Sequence, residues 1–155
     1  MFKRLCLTVV MCLVALSAYA AEQKFDNFSV DLPSGWQLMG EPMKQQGVEL
    51  VMLANTEKGA AVIITFAPTQ GEDLKAVVEQ TKQGMKAQGM DLKVTEESDN
   101  KVVFEGKQAG QEVKLLLTAD PDGKQIGTMV YSGDVAAGEA VGKAVKTTNA
   151  KLAFY

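Results

Sequence analysis

The run KVVFEGKQAGQEVKLLLTADPDGKQIGTMVYS, Lys101–Ser132, decides the fold. Its apolar residues fall in three blocks, Lys101–Gln108, Gln111–Ala119 and Gln125–Ser132, rich in the β-branched and aliphatic residues that fill strands. Only Ala109-Gly110 separates the first two blocks, which is enough chain for a hairpin and nothing longer. Asp120-Pro121-Asp122-Gly123-Lys124 forms the next turn, with Pro and Gly supplying the dihedrals that turns require. Strands joined this closely must run antiparallel, because a parallel pair needs a crossover of about a dozen residues or more. Two of the blocks keep apolar side chains on both faces: Leu115 and Leu117 against Leu116, and Val130 against Met129 and Tyr131. A sheet wetted on one side would alternate apolar with polar, so both faces are expected to be covered.

Moving outward, Leu92–Glu97 reads as a further strand, linked through Ser98-Asp99-Asn100. Before it, over Gly71–Gly89, the period changes. Leu74, Val77, Val78, Thr81 and Met85 recur at helical spacing, with Glu72, Lys75, Glu79, Lys82 and Lys86 on the opposite side, and Gly89 provides a stop. After the central run a second helix is expected over about Val135–Ala150, presenting Ala137, Val141, Ala144, Val145 and Thr148 on one face, with Asp134 as N-cap. Leu152, Phe154 and Tyr155 make an apolar tail that docks on the body. Near the start of the chain, Phe25–Leu32, Val48–Ala54 and Ala60–Ala67 read as strands, with an Asn55–Gly59 hairpin between the last two. Gly40–Gly47, polar and containing Pro42, reads as a loop. Leu50 and Met52 against Val51 and Leu53, and the unbroken Ala61-Val62-Ile63-Ile64, extend the two-face pattern to these strands. The expected fold is α+β: a single domain with a mainly antiparallel sheet of about six to seven strands, flanked by two helices, one on each face.

The first twenty residues are of another kind. Lys3-Arg4 precede the uncharged stretch Leu5–Leu16, and Ser17-Ala18-Tyr19-Ala20 offers small residues where a signal peptidase reads. This is the pattern of a secretory signal, residues 1–20, cleaved after Ala20 to leave a single domain, 21–155, in the periplasm or secreted. The apolar run is too short to span a bilayer core of about 30 Å, so no stable membrane insertion is expected after cleavage. Cys6 and Cys12 both lie in the signal, so the mature chain has no disulfide and no thiolate ligand or nucleophile. A chain of about 135 residues can be held by its core alone.

Phe28-Ser-Val-Asp-Leu-Pro-Ser-Gly-Trp36, a strand running into a proline-glycine turn and then an aromatic, resembles the opening of the PsbP/Mog1-like proteins, particularly their bacterial DcrB-like branch. The succession of strands and helices over most of Phe25–Tyr155 is similar as well. The resemblance implies an antiparallel sheet flanked by helices and a non-catalytic accessory or binding role. It implies no catalytic residues, and partners differ widely within the group.

Composition removes several classes of function. With no histidine in the chain, no Ser-His or Cys-His pair and no imidazole metal ligand can exist. The mature chain has 14 lysines and no arginine against 19 acids, which disfavours nucleic acid and anionic lipid as partners. Asp120-Pro121-Asp122-Gly123 resembles part of a calcium loop, but Lys124 and Tyr131 stand where ligands five and twelve should be, so a turn is expected. Glu96-Glu97-Ser98-Asp99-Asn100 reads as a solvated acidic turn, with an adventitious calcium site as the alternative. Gly133 and Gly138 match no phosphate-binding fingerprint. A Ser-Lys pair using Ser34 or Ser132 and a pair of carboxylates brought together in a cleft are the remaining catalytic arrangements, and nothing in the pattern singles one out. No enzyme activity and no cofactor are expected.

Three residues are left as possible partner contacts: Trp36, Met39 and Met43. Trp36 reads either as an exposed interface anchor or as the residue closing one end of the core, and the usual burial of tryptophan favours the second. Met39 and Met43 share the expected loop; thioethers suit copper(I), though such sites usually recruit histidine or cysteine too. Met52, Met85 and Met129 occupy apolar positions and read as core filler. The expected function is that of a small exported accessory protein contacting another envelope protein. The alternative is a periplasmic carrier or sensor of a small ligand or metal ion.

Overall fold

A computed structural model describes residues 22–69, 71–120, 122 and 124–155; the expected signal, 1–20, lies outside the described residues. The chain opens with a hairpin of β1, Glu22–Lys24, and β2, Phe28–Asp31, turning through Phe25–Asn27, where the Phe25 N–H donates to the Phe28 carbonyl at 2.8 Å. The continuous strand expected over Phe25–Leu32 is thus interrupted at its start, because Asp26-Asn27 is a turn dipeptide. Then come β3, Gln37–Leu38; β4, Met43–Gln45; β5, Val48–Asn55; and β6, Ala60–Pro68. Helix α1 spans Leu74–Ala87, with the Asp73 side chain accepting from the Ala76 N–H at 2.8 Å and Gly89 at φ 72° closing its end. Strands β7, Asp91–Glu97; β8, Lys101–Gln108; β9, Gln111–Ala119; and β10, Gln125–Gly133 follow. Helix α2, Val135–Gly142, leads into β11, Val145–Thr147, and a 3-10 turn at Ala150–Leu152.

The main sheet has eight strands in the order β3-β5-β6-β10-β9-β8-β7, with β4 also on β5, and every pairing is antiparallel. A separate three-stranded sheet has the order β1-β2-β11. This α+β architecture corrects two expectations. The sheet is larger than six to seven strands and is accompanied by a second one, and the second helix ends at Gly142 rather than near Ala150. Gly138 and Gly142 weaken the helix, and β-branched Val145 and Thr147 instead pair with Val30 and Phe28 of β2.

Two apolar clusters lie on opposite faces of the main sheet. The larger packs Val51, Leu53, Ile64 and Met129 of the sheet against Phe28 and Val30 of the small sheet and Val141 of α2, with Leu152 and Phe154 of the tail. The smaller joins Val77, Val78 and Met85 of α1 to Val102, Phe104, Leu115 and Leu117. The result is three layers: α1, the main sheet, and α2 with the small sheet.

Two glycines let α2 lie flat on β10. A Cβ at Gly138 would meet the Tyr131 ring at 2.8 Å, and one at Gly142 would run into the Tyr131 hydroxyl, with the Met129 sulfur at 2.9 Å. The ring cannot step aside, because its hydroxyl is held by the Tyr155 hydroxyl at 2.9 Å and contacts the Met129 sulfur at 2.7 Å. Gly142→Ala is therefore expected to destabilise the fold by about 2–3 kcal/mol in urea unfolding. Tyr131→Phe in the same chain should relieve part of that loss; simple additivity of the two changes would refute the steric cause.

An uncovered sheet face as candidate functional site

On β5 and β6 side chains alternate between the two faces. Val51, Leu53, Val62, Ile64 and Phe66 enter the larger cluster, while Leu50, Met52 and Ile63 point the other way. Among the described residues, neither cluster includes these three. Helix α1 lies toward the β7–β10 half of that face, and its cluster takes in Ile126 and Val130 of β10 but nothing from β5 or β6. The expectation that both faces are covered holds for β8–β10 and fails for β5 and β6.

The register aligns the uncovered residues in two rows. Met39 extends the β3 ladder, its N–H donating to the Met52 carbonyl at 2.8 Å, so Met39 stands opposite Met52. Met52 stands opposite Ile63, and Ile63 opposite Val130, where the helix-covered half begins. In the adjacent row Met43 stands opposite Leu50, Leu50 opposite Thr65, and Thr65 opposite Thr128. Met39, Met43 and Met52 are 46%, 57% and 42% exposed. They account for three of the five large apolar side chains that the described residues leave exposed. Scattered apolar residues on a surface need no explanation, but a contiguous patch does.

The three residues read from the sequence as partner contacts separate in space. Met39 and Met43 lie on the open face, whereas Trp36 is 9% exposed and belongs to the larger core cluster. Met52, read as core filler, is instead the centre of the open face. Gly40–Gly47 is not a loop throughout: Met43–Gln45 pairs with Val48–Leu50 as a short hairpin, with Gln46 at φ 51° and Gly47 at φ 81° in its turn. Both central residues of this turn have positive φ, where Asn-Gly or Asp-Gly is the usual pair, so Gln46-Gly47 gave no clear hairpin signal in the sequence.

One buried carboxylate fixes the edge that bears this face. Glu49 points to the core side of β5 and is almost fully buried; it accepts from the Asp26 N–H at 2.9 Å, the Asn27 N–H at 3.0 Å and Asn27 Nδ2 at 2.8 Å, with Lys44 Nζ at 3.7 Å. Asn27 in turn accepts from Gln125 Nε2 at 2.8 Å and, at its carbonyl, from the Thr148 N–H at 2.8 Å. The β1–β2 turn, β5, β10 and the C-terminal segment are tied together at this point.

The other candidates take structural roles. A cleft of about 940 Å³ runs between the N-terminal half of α1 and the ends of β7–β9, floored by Leu74, Val78 and Val102 and rimmed mainly by acids such as Glu72, Glu97 and Asp99, with Lys75 and Lys82 among them. At its edge Asp120 accepts from the Asp122 N–H at 2.9 Å and from Asn149 Nδ2 at 3.2 Å, and Lys151 Nζ sits 3.6 Å from one carboxylate and 3.1 Å from the other. Among the described residues no group of three or more acidic, cysteine or histidine side chains is placed to hold a metal ion. Glu96 pairs with Lys101 at 3.1 Å, and Asp134 caps α2 through the Ala137 N–H at 3.0 Å. Neither Ser34 nor Ser132 hydrogen-bonds a lysine among the described residues. Lys114 is engaged by Glu139 at 2.6 Å and Glu105 at 2.9 Å; burial opposes its charge, but the two carboxylates outweigh burial and hold the ammonium above the ordinary lysine range.

Asp120 supplies a pH prediction. The Asp122 N–H holds its carboxyl below the usual range; burial opposes this, while Asn149 and Lys151 reinforce it. A depressed carboxylate contributes stability above its unfolded pKa of about 4 and loses it as pH falls through the lowered native value. The melting-temperature gap between wild type and Asp120→Asn should be widest near neutrality and close as pH drops through the carboxylate range; a gap that widens in acid would contradict the assignment.

The sequence matches no established protein family and no curated protein. Among solved structures, a crystal structure of a protein from Bacteroides thetaiotaomicron VPI-5482 is similar at 13% identity with a TM-score of 0.43, over 79% of this chain and 46% of that one. This chain thus spans under half the length of that neighbour. Among the described residues no helix is long and apolar enough to cross a membrane, which says nothing of membrane-crossing strands.

Proposed function

We propose that this chain is a small exported, non-catalytic accessory protein of the bacterial envelope, of PsbP/Mog1-like fold, that binds another envelope protein through the open face of β5 and β6. The observation that supports the reading is the patch formed by half-exposed Met39, Met43 and Met52 beside Leu50 and Ile63, on a sheet whose other half is roofed by α1. Methionine suits such a role, since an unbranched, polarisable side chain repacks against differing partners at little cost. The N-terminal signal pattern supports export.

The double variant Met43→Lys, Met52→Lys tests this reading. Lysine stems can lie along the sheet with their ammonium groups in water, so the urea midpoint should change little. Crosslinking to the partner in living cells should fall at least tenfold. Undiminished crosslinking by a folded double variant would remove the face from consideration.

A second reading, a carrier or sensor of a small ligand, has one observation in its favour: the acid-rimmed, apolar-floored cleft beneath α1. A ligand held there would be an apolar cation, and it would raise the melting temperature by mass action. Indifference to a panel of polyamines and aromatic amines would leave this reading without support.

A further inference from the structure

The open face also brings three thioethers together. Met39 and Met52 are directly opposed across β3 and β5, and Met43, opposite Leu50, lies diagonal to Met52 on the same face. Directly opposed Cβ atoms are about 5 Å apart and diagonal positions about 7–8 Å, within reach of side chains with three rotatable bonds. All three side chains are about half-exposed, so an ion reaches them without opening the core. In the structure Gln37 Nε2 lies 4.0 Å from the Met39 sulfur, a contact weak enough to be exchanged.

We infer that Met39, Met43 and Met52 form a three-thioether site for a soft monovalent cation, copper(I) or silver(I). Thioether sulfur prefers such ions over calcium, magnesium or zinc, and three neutral donors satisfy their low coordination demand. The site differs chemically from histidine, thiolate or carboxylate sites, because a thioether has no proton to lose. Those sites weaken as acid protonates their ligands, whereas this one holds its affinity from neutrality to about pH 4. The site shares the face proposed for docking, and replacement by leucine separates the two, since leucine keeps the apolar surface and removes the sulfur.

The experiment uses the full chain carrying Cys6→Ser and Cys12→Ser, so that no thiolate competes, with its methionine methyl carbons isotopically labelled. Silver(I) nitrate is titrated in at pH 7 and pH 4 and followed by NMR. At one equivalent the Met39, Met43 and Met52 methyl signals should move together, while buried Met85 and Met129 stay in place. Met52→Leu should lower the silver affinity at least threefold with the melting temperature retained, and partner crosslinking by that variant should persist. Overturning results are no coordinated shift, an affinity that falls in acid, or a Met52→Leu affinity within threefold of wild type. Loss of crosslinking on Met43→Lys, Met52→Lys without any silver response would leave docking standing and the metal site refuted.

Discussion

Trp36→Ala is expected to cost about 3–5 kcal/mol of stability and to lower the melting temperature by on the order of 10–20 °C. The reason lies in how the chain delivers this side chain. Pro33-Ser34-Gly35-Trp36 closes a turn in which the Trp36 N–H donates to the Pro33 carbonyl at 3.1 Å, and Gly35 takes φ 83°, the left-handed conformation that glycine adopts freely. The indole is thereby set into the larger core cluster, where it is 9% exposed. Truncation removes the transfer free energy of a large ring and leaves a cavity that a close-packed interior refills only in part. Urea unfolding followed by far-UV circular dichroism measures the effect, since the variant lacks the fluorophore. A stability within about 0.5 kcal/mol of wild type would place Trp36 at the surface and restore it as a partner contact.

Glu49→Ala is expected to cost about 3 kcal/mol. The alanine leaves the Asp26 and Asn27 N–H groups and Asn27 Nδ2 without the carboxylate that accepts from them, in a partly buried place where water cannot fully replace it. Because Asn27 also receives Gln125 and Thr148, loosening it should weaken the small sheet's attachment. Hydrogen exchange of the Asp26, Asn27 and Thr148 amides should accelerate more than exchange in β9 and β10. Glu49→Gln, which keeps one acceptor oxygen, should lose less than the alanine. Equal losses in the two variants would mean that side-chain volume, not the acceptor, is what matters.

The strands from Leu92 to Gly133 were legible almost to the residue, because each is a compact apolar block bounded by a Gly, Asp or Asn turn. Helix α1 was legible from its period and its Gly89 stop, whereas its Asp73 cap was not read from the sequence. The small sheet was not. Glu22–Lys24 has no apolar alternation, and Val145–Thr147 is three residues whose partner, β2, lies more than a hundred positions away. Local pattern cannot report a pairing of that separation, so the helical spacing of Ala137, Val141, Ala144 and Val145 ran on past the point where the helix ends.

The open face was half legible. Leu50, Met52 and Ile63 read as apolar on a second face, but an apolar strand face need not be a covered one. A helix is about 10 Å wide and strands lie about 4.8 Å apart, so one helix roofs two or three strands of a sheet this broad. Strand number and helix number alone therefore imply that part of one face is bare. Which part is set by the strand order, with β10 inserted between β6 and β9, and that order is a tertiary fact. Met39 and Met43 stand out in the sequence as apolar thioether side chains of one expected loop. Met52 completes them only through a register in which a two-residue strand stands opposite β5.

The most direct test places a photo-crosslinking amino acid, in living cells, at Met43 or Met52 on the open face and at Glu57 or Lys93 on exposed turn and edge positions elsewhere. The account predicts one and the same envelope protein attached from Met43 and Met52, absent from Glu57 and Lys93, and lost when Met39 is also replaced by lysine. No adduct from the open face, or equal adducts from all four positions, would contradict it.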